Sequence, residues 1–396
     1  MLSCPPNPRP RLRLCNHWAV TNENITIPAD LLPADGRFCS GPGKVRTEAL
    51  DALAATGTTY MGHSHRALNV RFKVAELRNG LAEMLVLPDG YEIMLGNGGS
   101  TGFWDCATFG LIERRSHHLE FGEFGSKFTK AVAAAPWLET PEVVASEPGT
   151  RPDVVAGTDV DAYCYTHNET STGVHLPPSR PADPSEGDDG ALVMVDATSA
   201  AGALRFDPNE TDVYYFAPQK ALGSDGGLWI AAVSPAAIER IERIAASDRF
   251  IPASLDLKTA LDNSRKDQTY NTPALATVFL AVEQINWVNN NGGLEFAARR
   301  CDAMSEMLYG WAEASDFATP FVKDPAHRSP VVGTIDLDDR LPADDVVAIL
   351  REHEVFDIGG YRKLGRNQLR IAMFPTIELS DLQALLATLD WLAENL

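Results

Sequence analysis

The chain has 396 residues, 44% of them hydrophobic and 22% charged, the balance of a globular protein long enough for more than one core. Its formal net charge of −20 argues against nucleic acid or an anionic membrane surface as partner. A small anionic substrate in a local basic pocket is still compatible, since distant charge is screened beyond about 8 Å. No apolar run reaches the roughly 18–20 residues of a membrane-spanning helix. The six cysteines (Cys4, Cys15, Cys39, Cys106, Cys164 and Cys301) form no CxxC pair, so neither a zinc ribbon nor a disulfide framework is expected, and a reducing cytoplasm is the simplest compartment.

Met1–Val20 is proline-rich and basic but lacks the apolar stretch of a signal peptide. It reads as part of a disordered tail over residues 1–35, or as a start placed upstream of a true one near Val20. Apolar residues at three- and four-residue steps predict helices over Val45–Ala55 and Ala67–Leu85. Tyr91–Gly96 reads as a strand, GNGGST as a loop and Gly102–Ile112 as a helix. Short strands are expected at His117–Phe121, Val143–Ser146, Ala162–Tyr165, Ala191–Val195, Val213–Phe216 and Leu228–Val233. Interleaved with helices, they predict an α/β fold with a mainly parallel sheet. Pro177–Gly190 is a surface loop by composition. Helices follow at Ala236–Ala246 and Pro273–Val288; NNNGG breaks the pattern before a long helix over Leu294–Ala314. The chain then alternates anew, with strands at Val331–Leu337 and Gln368–Phe374 and helices at Ala343–Glu352 and Leu379–Asn395. This predicts a large domain over residues 36–290 and a smaller C-terminal α+β domain over 291–396.

Two apolar runs lead to charged residues unsuited to a core: Asp196 after Ala191–Val195, and Lys220 beyond Val213–Phe216. Open α/β sheets bind ligands at the carboxyl ends of their strands. A lysine that forms a Schiff base and an aspartate that pairs with a pyridinium nitrogen are what pyridoxal phosphate requires. The other reading is a turn-capping Asp and a solvated Lys. GNGGSTG, with Ser100 and Thr101 at a helix start, is either an anion cradle or a plain tight turn; it lacks the Lys of a Walker A loop. Thr170 in HNETSTG either reaches a ring hydroxyl or serves an ordinary Asx/ST turn. Phe124 in GEFGSKF either lies on an aromatic cofactor or fills a core. Two histidines without further partners, His63 and His65, do not make a metal site.

These pieces stand in one order with FCSGPGKVR, GHSHR, LGNGGSTGFWD, VDATS, YYFAPQK, SDGGLW, YNTPA and YRKLGRNQLRIAMFP. In that order the chain resembles the phosphoserine aminotransferase family, in the class-V branch of fold-type-I pyridoxal-phosphate enzymes, from about Asp35 to Leu396. The resemblance implies that Lys220 carries the cofactor and Asp196 pairs with its ring nitrogen. It also implies that Ser100, Thr101 and Gln219 hold its phosphate, Thr170 its polar edge, and Phe124 its ring face, where many relatives carry Trp. Asn271 and Thr272 would reach the phosphate bound by the other subunit, so a homodimer with shared sites is implied. Arg66, supported by His65, would receive the substrate's distal anion and Arg370 its α-carboxylate, since a guanidinium fork grips such anions bidentately. The substrates implied are L-glutamate, 3-phosphohydroxypyruvate and O-phospho-L-serine, in L-serine biosynthesis. Two departures stand out: Cys39 replaces the family's usual serine, and Arg362, Lys363 and Arg366 stand where many relatives place His-Arg. The alternatives are a serine– or alanine–glyoxylate aminotransferase, which needs no cationic distal pocket, and a non-catalytic nucleotide- or cofactor-binding protein.

Overall fold

The computed structural model describes residues 25–181 and 190–396. Of the expected tail over residues 1–35, residues 1–24 lie outside the described residues, as does most of the expected loop, residues 182–189. Residues 25–35 are not a loose tail, since Ile27 is buried in the core and Ile25, Leu31 and Leu32 pack against it. Seven strands build the main sheet: β1 (Glu92–Asn97), β2 (Ser116–Glu120), β3 (Glu142–Ala145), β4 (Ala162–Thr166), β5 (Leu192–Asp196), β6 (Val213–Phe216) and β7 (Leu228–Val233). Their order across the sheet is β1-β7-β6-β5-β4-β2-β3. Only β7 runs against its neighbours, antiparallel to both β1 and β6. The remaining pairs are parallel, as the alternation of strands and helices predicts.

The central strands are apolar on both faces because helices cover both. Side-chain alternation splits them cleanly. Leu192 and Met194 of β5 join one core with Phe103 and Trp104 of α3 (Ser100–Gly110) and Phe128 of α4 (Glu123–Ala133). Val193 and Val195 join the other, with Leu77 and Leu81 of α2 (Leu68–Met84) and Val282 and Ile285 of α7 (Leu275–Asn290). That second core is continuous with the C-terminal unit. There Met304 and Leu308 of α8 (Gly293–Ala314) pack with Leu369 and Ile371 and with Leu385 of α10 (Leu379–Asn395). The small sheet is antiparallel, β8 (Ala318–Pro320) to β9 (Val332–Leu337) to β10 (Gln368–Ala372), with α9 (Ala343–Glu352) between the last two strands.

Among the α-helices and the strands of the two larger sheets, three elements were not expected. α4 hides behind the glycines that open and interrupt it, Gly122 and Gly125. α6 (Leu257–Ser264) is short, although Asp256 caps it by accepting from the N–H groups of Lys258 and Thr259. β8 is a three-residue edge strand that contains Pro320, a residue tolerated in sheets only at edges. One boundary matters for the site: the helix expected from Gly102 begins at Ser100, so the end of the GNGGST loop is a helix N-terminus.

Candidate active site

Continuing the alternation of β5 past Leu192 and Met194 puts Asp196 on the α3 side of the sheet edge. There it is 6% exposed. Its Oδ1 accepts from the backbone N–H of Thr198 at 2.9 Å and from the Thr198 hydroxyl at 2.5 Å. Its Oδ2 accepts from the Trp104 indole N–H at 3.3 Å. The same N–H also lies 3.1 Å from the Tyr215 hydroxyl. Burial pushes the Asp196 carboxyl up; the donors of Thr198, the charge of Lys220 and the Trp104 N–H oppose it. The acid is therefore desolvated yet supplied with donors, the condition for a carboxylate that must meet a buried cation.

Lys220 is 8% exposed, and its amine donates to Thr170 Oγ1 at 2.8 Å. The Phe124 ring lies beneath it, with the centroid 4.6 Å from Nζ. Burial pushes the amine down to about 8, against Asp196 and Glu169, which pull it up. The stem packs on the loop from Phe38: a Cβ at Gly41 would come 2.9 Å from Lys220 Cε, so only a glycine leaves the lysine its path.

These side chains line one cavity together with Gly99, Ser100, Thr101, Thr166, Asn168, Thr198, Ser199 and Gln219. Ser100 and Thr198 share a hydroxyl–hydroxyl bond of 2.5 Å. No side chain caps the start of α3, which leaves a helix N-terminus open to an anion. Gln219 Oε1, Thr166 Oγ1 and Asn168 Oδ1 are buried without a hydrogen-bond partner among the described residues. Such atoms cost free energy unless a polar ligand meets them. An amine, an opposed acid, an aromatic wall and an anion-accepting helix start fit pyridoxal phosphate.

Arg370, on β10, adjoins this cavity: its Nη1 donates to the Thr170 carbonyl at 3.3 Å, and Tyr361 lies against its guanidinium at 5.4 Å. Its Nε is buried without a partner, which leaves one edge of the fork for a ligand. Cys39 stands on the loop that packs on the Lys220 stem, its Sγ accepting from the Gly41 N–H at 3.4 Å. Of the three candidate cations nearby, Arg366 is clamped by Asp336 at 3.0 and 2.6 Å, and Lys363 is paired with Glu123. Arg362 is exposed.

Arg66, His65, Asn271 and Thr272 do not line this cavity. They form a second group: His65 Nδ1 lies 3.1 Å from Thr272 Oγ1, and Asn97 donates to the Thr272 carbonyl at 2.9 Å. Arg66, Asn271 and Thr272 are exposed. The arginine pair expected at one site is thus split within the chain. Trp104, Tyr215 and Thr198 escaped the sequence reading. Trp104 stands four residues after Ser100, one helical turn along the same face, which is the signal that places it at the site.

The class-V aminotransferase family model matches residues 153–362. A phosphoserine aminotransferase of a Nocardioides species is 59% identical over 372 residues, spanning 94% of this chain and 99% of that protein. Among solved structures, the phosphoserine aminotransferase of Cytophaga hutchinsonii superposes with a TM-score of 0.81 at 23% identity, over 90% of this chain and 99% of its own. A PLP-bound phosphoserine aminotransferase from Trichomonas vaginalis gives 0.74 at 18% identity, over 90% and 99%. These structural likenesses establish the fold.

Proposed function

We propose that this chain, which belongs to the class-V aminotransferases and within them to the phosphoserine aminotransferases, moves an amino group between L-glutamate and 3-phosphohydroxypyruvate. The products are 2-oxoglutarate and O-phospho-L-serine, and the reaction is reversible. The observation that carries the reading is the Lys220 amine, buried among Phe124, Thr170 and Asp196 and pushed down to about 8. Such an amine is in part unprotonated near neutrality, so it can act as nucleophile and then as base.

Pyridoxal phosphate, when bound, supplies the aldehyde that receives the amino group and a ring able to take up the electron pair left at the substrate's Cα. Lys220 would hold the group through its amine and, with that amine free, would take the proton from the substrate's Cα. Asp196 holds a proton on the ring nitrogen; its ties to Thr198 and Trp104 keep the carboxylate aimed. Ser100, Thr101 and Gln219 hold the phosphate, Thr170 the polar edge and Phe124 the ring face. Arg370 takes the α-carboxylate with its open edge.

The distal anion of either substrate is received by the partner subunit's Arg66, with the partner subunit's His65 beside it. The partner subunit's Asn271 and the partner subunit's Thr272 reach the cofactor phosphate. Their grouping away from this chain's own cavity supports a homodimer with shared sites, and so do the exposed Leu68 and Phe72 on α2 and Tyr270 beside Asn271. Borohydride should fix the cofactor on Lys220 by peptide mapping, and Lys220→Ala should lower turnover by about 10²–10⁴-fold. Label on another lysine refutes the assignment.

A further inference from the structure

Glu169 is fully buried next to Thr170 and has no part in the chemistry above. Its Oε1 accepts from the Ser171 N–H at 3.2 Å and the Ser171 hydroxyl at 2.7 Å. Its Oε2 accepts from the N–H groups of Phe124 at 3.0 Å and Gly125 at 3.2 Å. Ser171 Oγ in turn accepts from the Glu123 N–H at 3.0 Å. Three successive N–H groups of α4's first turn are therefore taken by one carboxylate and its serine. The residue at the cap position, Gly122, offers no side chain of its own. Nor has it room for one, since a Cβ there would lie 2.2 Å from Glu169 Cγ.

We propose that Glu169 is a positioning residue of the cofactor site: it pins the start of α4 so that Phe124 forms the ring wall, and it presents a second anion, beside Asp196, to the Lys220 amine. All four groups that contact its carboxylate are donors. Three of the four are N–H groups that can only donate, and the Ser171 hydroxyl already accepts from the Glu123 N–H, so the arrangement favours the anion. Burial pushes the Glu169 carboxyl up; Ser171, the Gly125 N–H and the charge of Lys220 hold it back. The charged or titratable groups acting on Lys220 are Asp196, Glu169, Arg370 and Cys39. Of these, Glu169 alone touches the wall as well.

The inference rests on the function proposed above, and its test separates the two. In cofactor-free protein, competitive amine acylation across pH, read on the Lys220 peptide by mass spectrometry, reports the protonation midpoint of that amine. Glu169→Gln removes the anion, so the midpoint should fall by about one unit; an unchanged midpoint overturns the electrostatic half. Ser171→Ala keeps the carboxylate, so the midpoint should hold while pyridoxal phosphate binding weakens about three- to tenfold by equilibrium dialysis. Unchanged affinity overturns the wall half. Should Glu169→Gln not fold, Glu169→Asp keeps the charge but shortens the reach: its midpoint must stay near the parent's while affinity falls, and a falling midpoint is equally fatal. If the parent itself takes up no pyridoxal phosphate, the proposed function and the wall half fail together, while the Lys220 midpoint still decides the electrostatic half.

Discussion

At the scale of single residues, the site's charges were legible because they interrupt apolar runs. Asp196 ends β5 and Lys220 follows β6, and no core tolerates either without a partner. Their helpers were not legible for the opposite reason. Trp104 and Tyr215 belong equally well to a core, and both are in fact packed there with Phe103 and Phe128. Only the hydrogen bonds of their polar tips give the second role away. Glu169 is harder still, because a glutamate in a loop motif is ordinarily solvated, and nothing in HNETSTG says that four donors converge on it. Arg370 shows how geometry sharpens a residue assignment: its buried Nε points to a fork and not merely a charge. Arg370→Lys keeps the charge and loses the fork. We expect kcat/KM to fall by about 10–100-fold for glutamate and phosphoserine alike, since each carries an α-carboxylate. Steady-state kinetics that find one substrate spared would remove Arg370 from that task.

At the scale of elements, the strands in the middle of the sheet and the long helices were readable from periodicity. β6, β7, α9 and α10 fall where the pattern puts them. What escaped was short or interrupted, as α4 and β8 illustrate, because glycine and proline break the pattern that identifies an element. β2 carries a consequence that periodicity could not suggest. His117 and His118 are consecutive on it and both are buried, one toward each side of the strand. Burial pushes His118 down to about 3, and pushes His117 down as well. A histidine held neutral in the fold but titrating near 6.5 when unfolded adds stability above pH 6.5 and withdraws it as pH falls toward the folded value. The urea midpoint should therefore decline between pH 6.5 and pH 4. His118→Gln should flatten that decline whatever it does to stability at pH 7, and an unaltered slope would exclude this histidine as its source.

At the scale of the whole molecule, one face of the main sheet and the C-terminal unit share one continuous core, while the apolar wall of the cavity, Trp104 and Phe124, belongs to the core on the other face. The sequence reading drew the division near Asn290, where α7 gives way to α8, and composition alone could not reveal how closely the two parts are joined. Completeness of the site is a separate matter. Phe72 is 67% exposed and Leu68 65% exposed, on the helix that follows His65 and Arg66. Phe72→Glu should yield a monomer by sedimentation. It should also weaken cofactor binding about tenfold, the value of a hydrogen bond or two from across the interface. A variant that stays dimeric, or a monomer with undiminished affinity, would contradict site sharing. The reversed strand β7 has one more implication, for the order of manufacture. Among the described residues, β1 sits at the edge of the sheet and has β7 as its only neighbour there. On the ribosome, the strand leading into Ser100 emerges long before Leu228–Val233. Until that later segment is made, the nascent chain carries an unpaired, aggregation-prone edge beside an unfinished binding turn. We therefore expect cofactor capture to wait for that segment, so that chains truncated before Leu228 should bind no added pyridoxal phosphate in equilibrium dialysis.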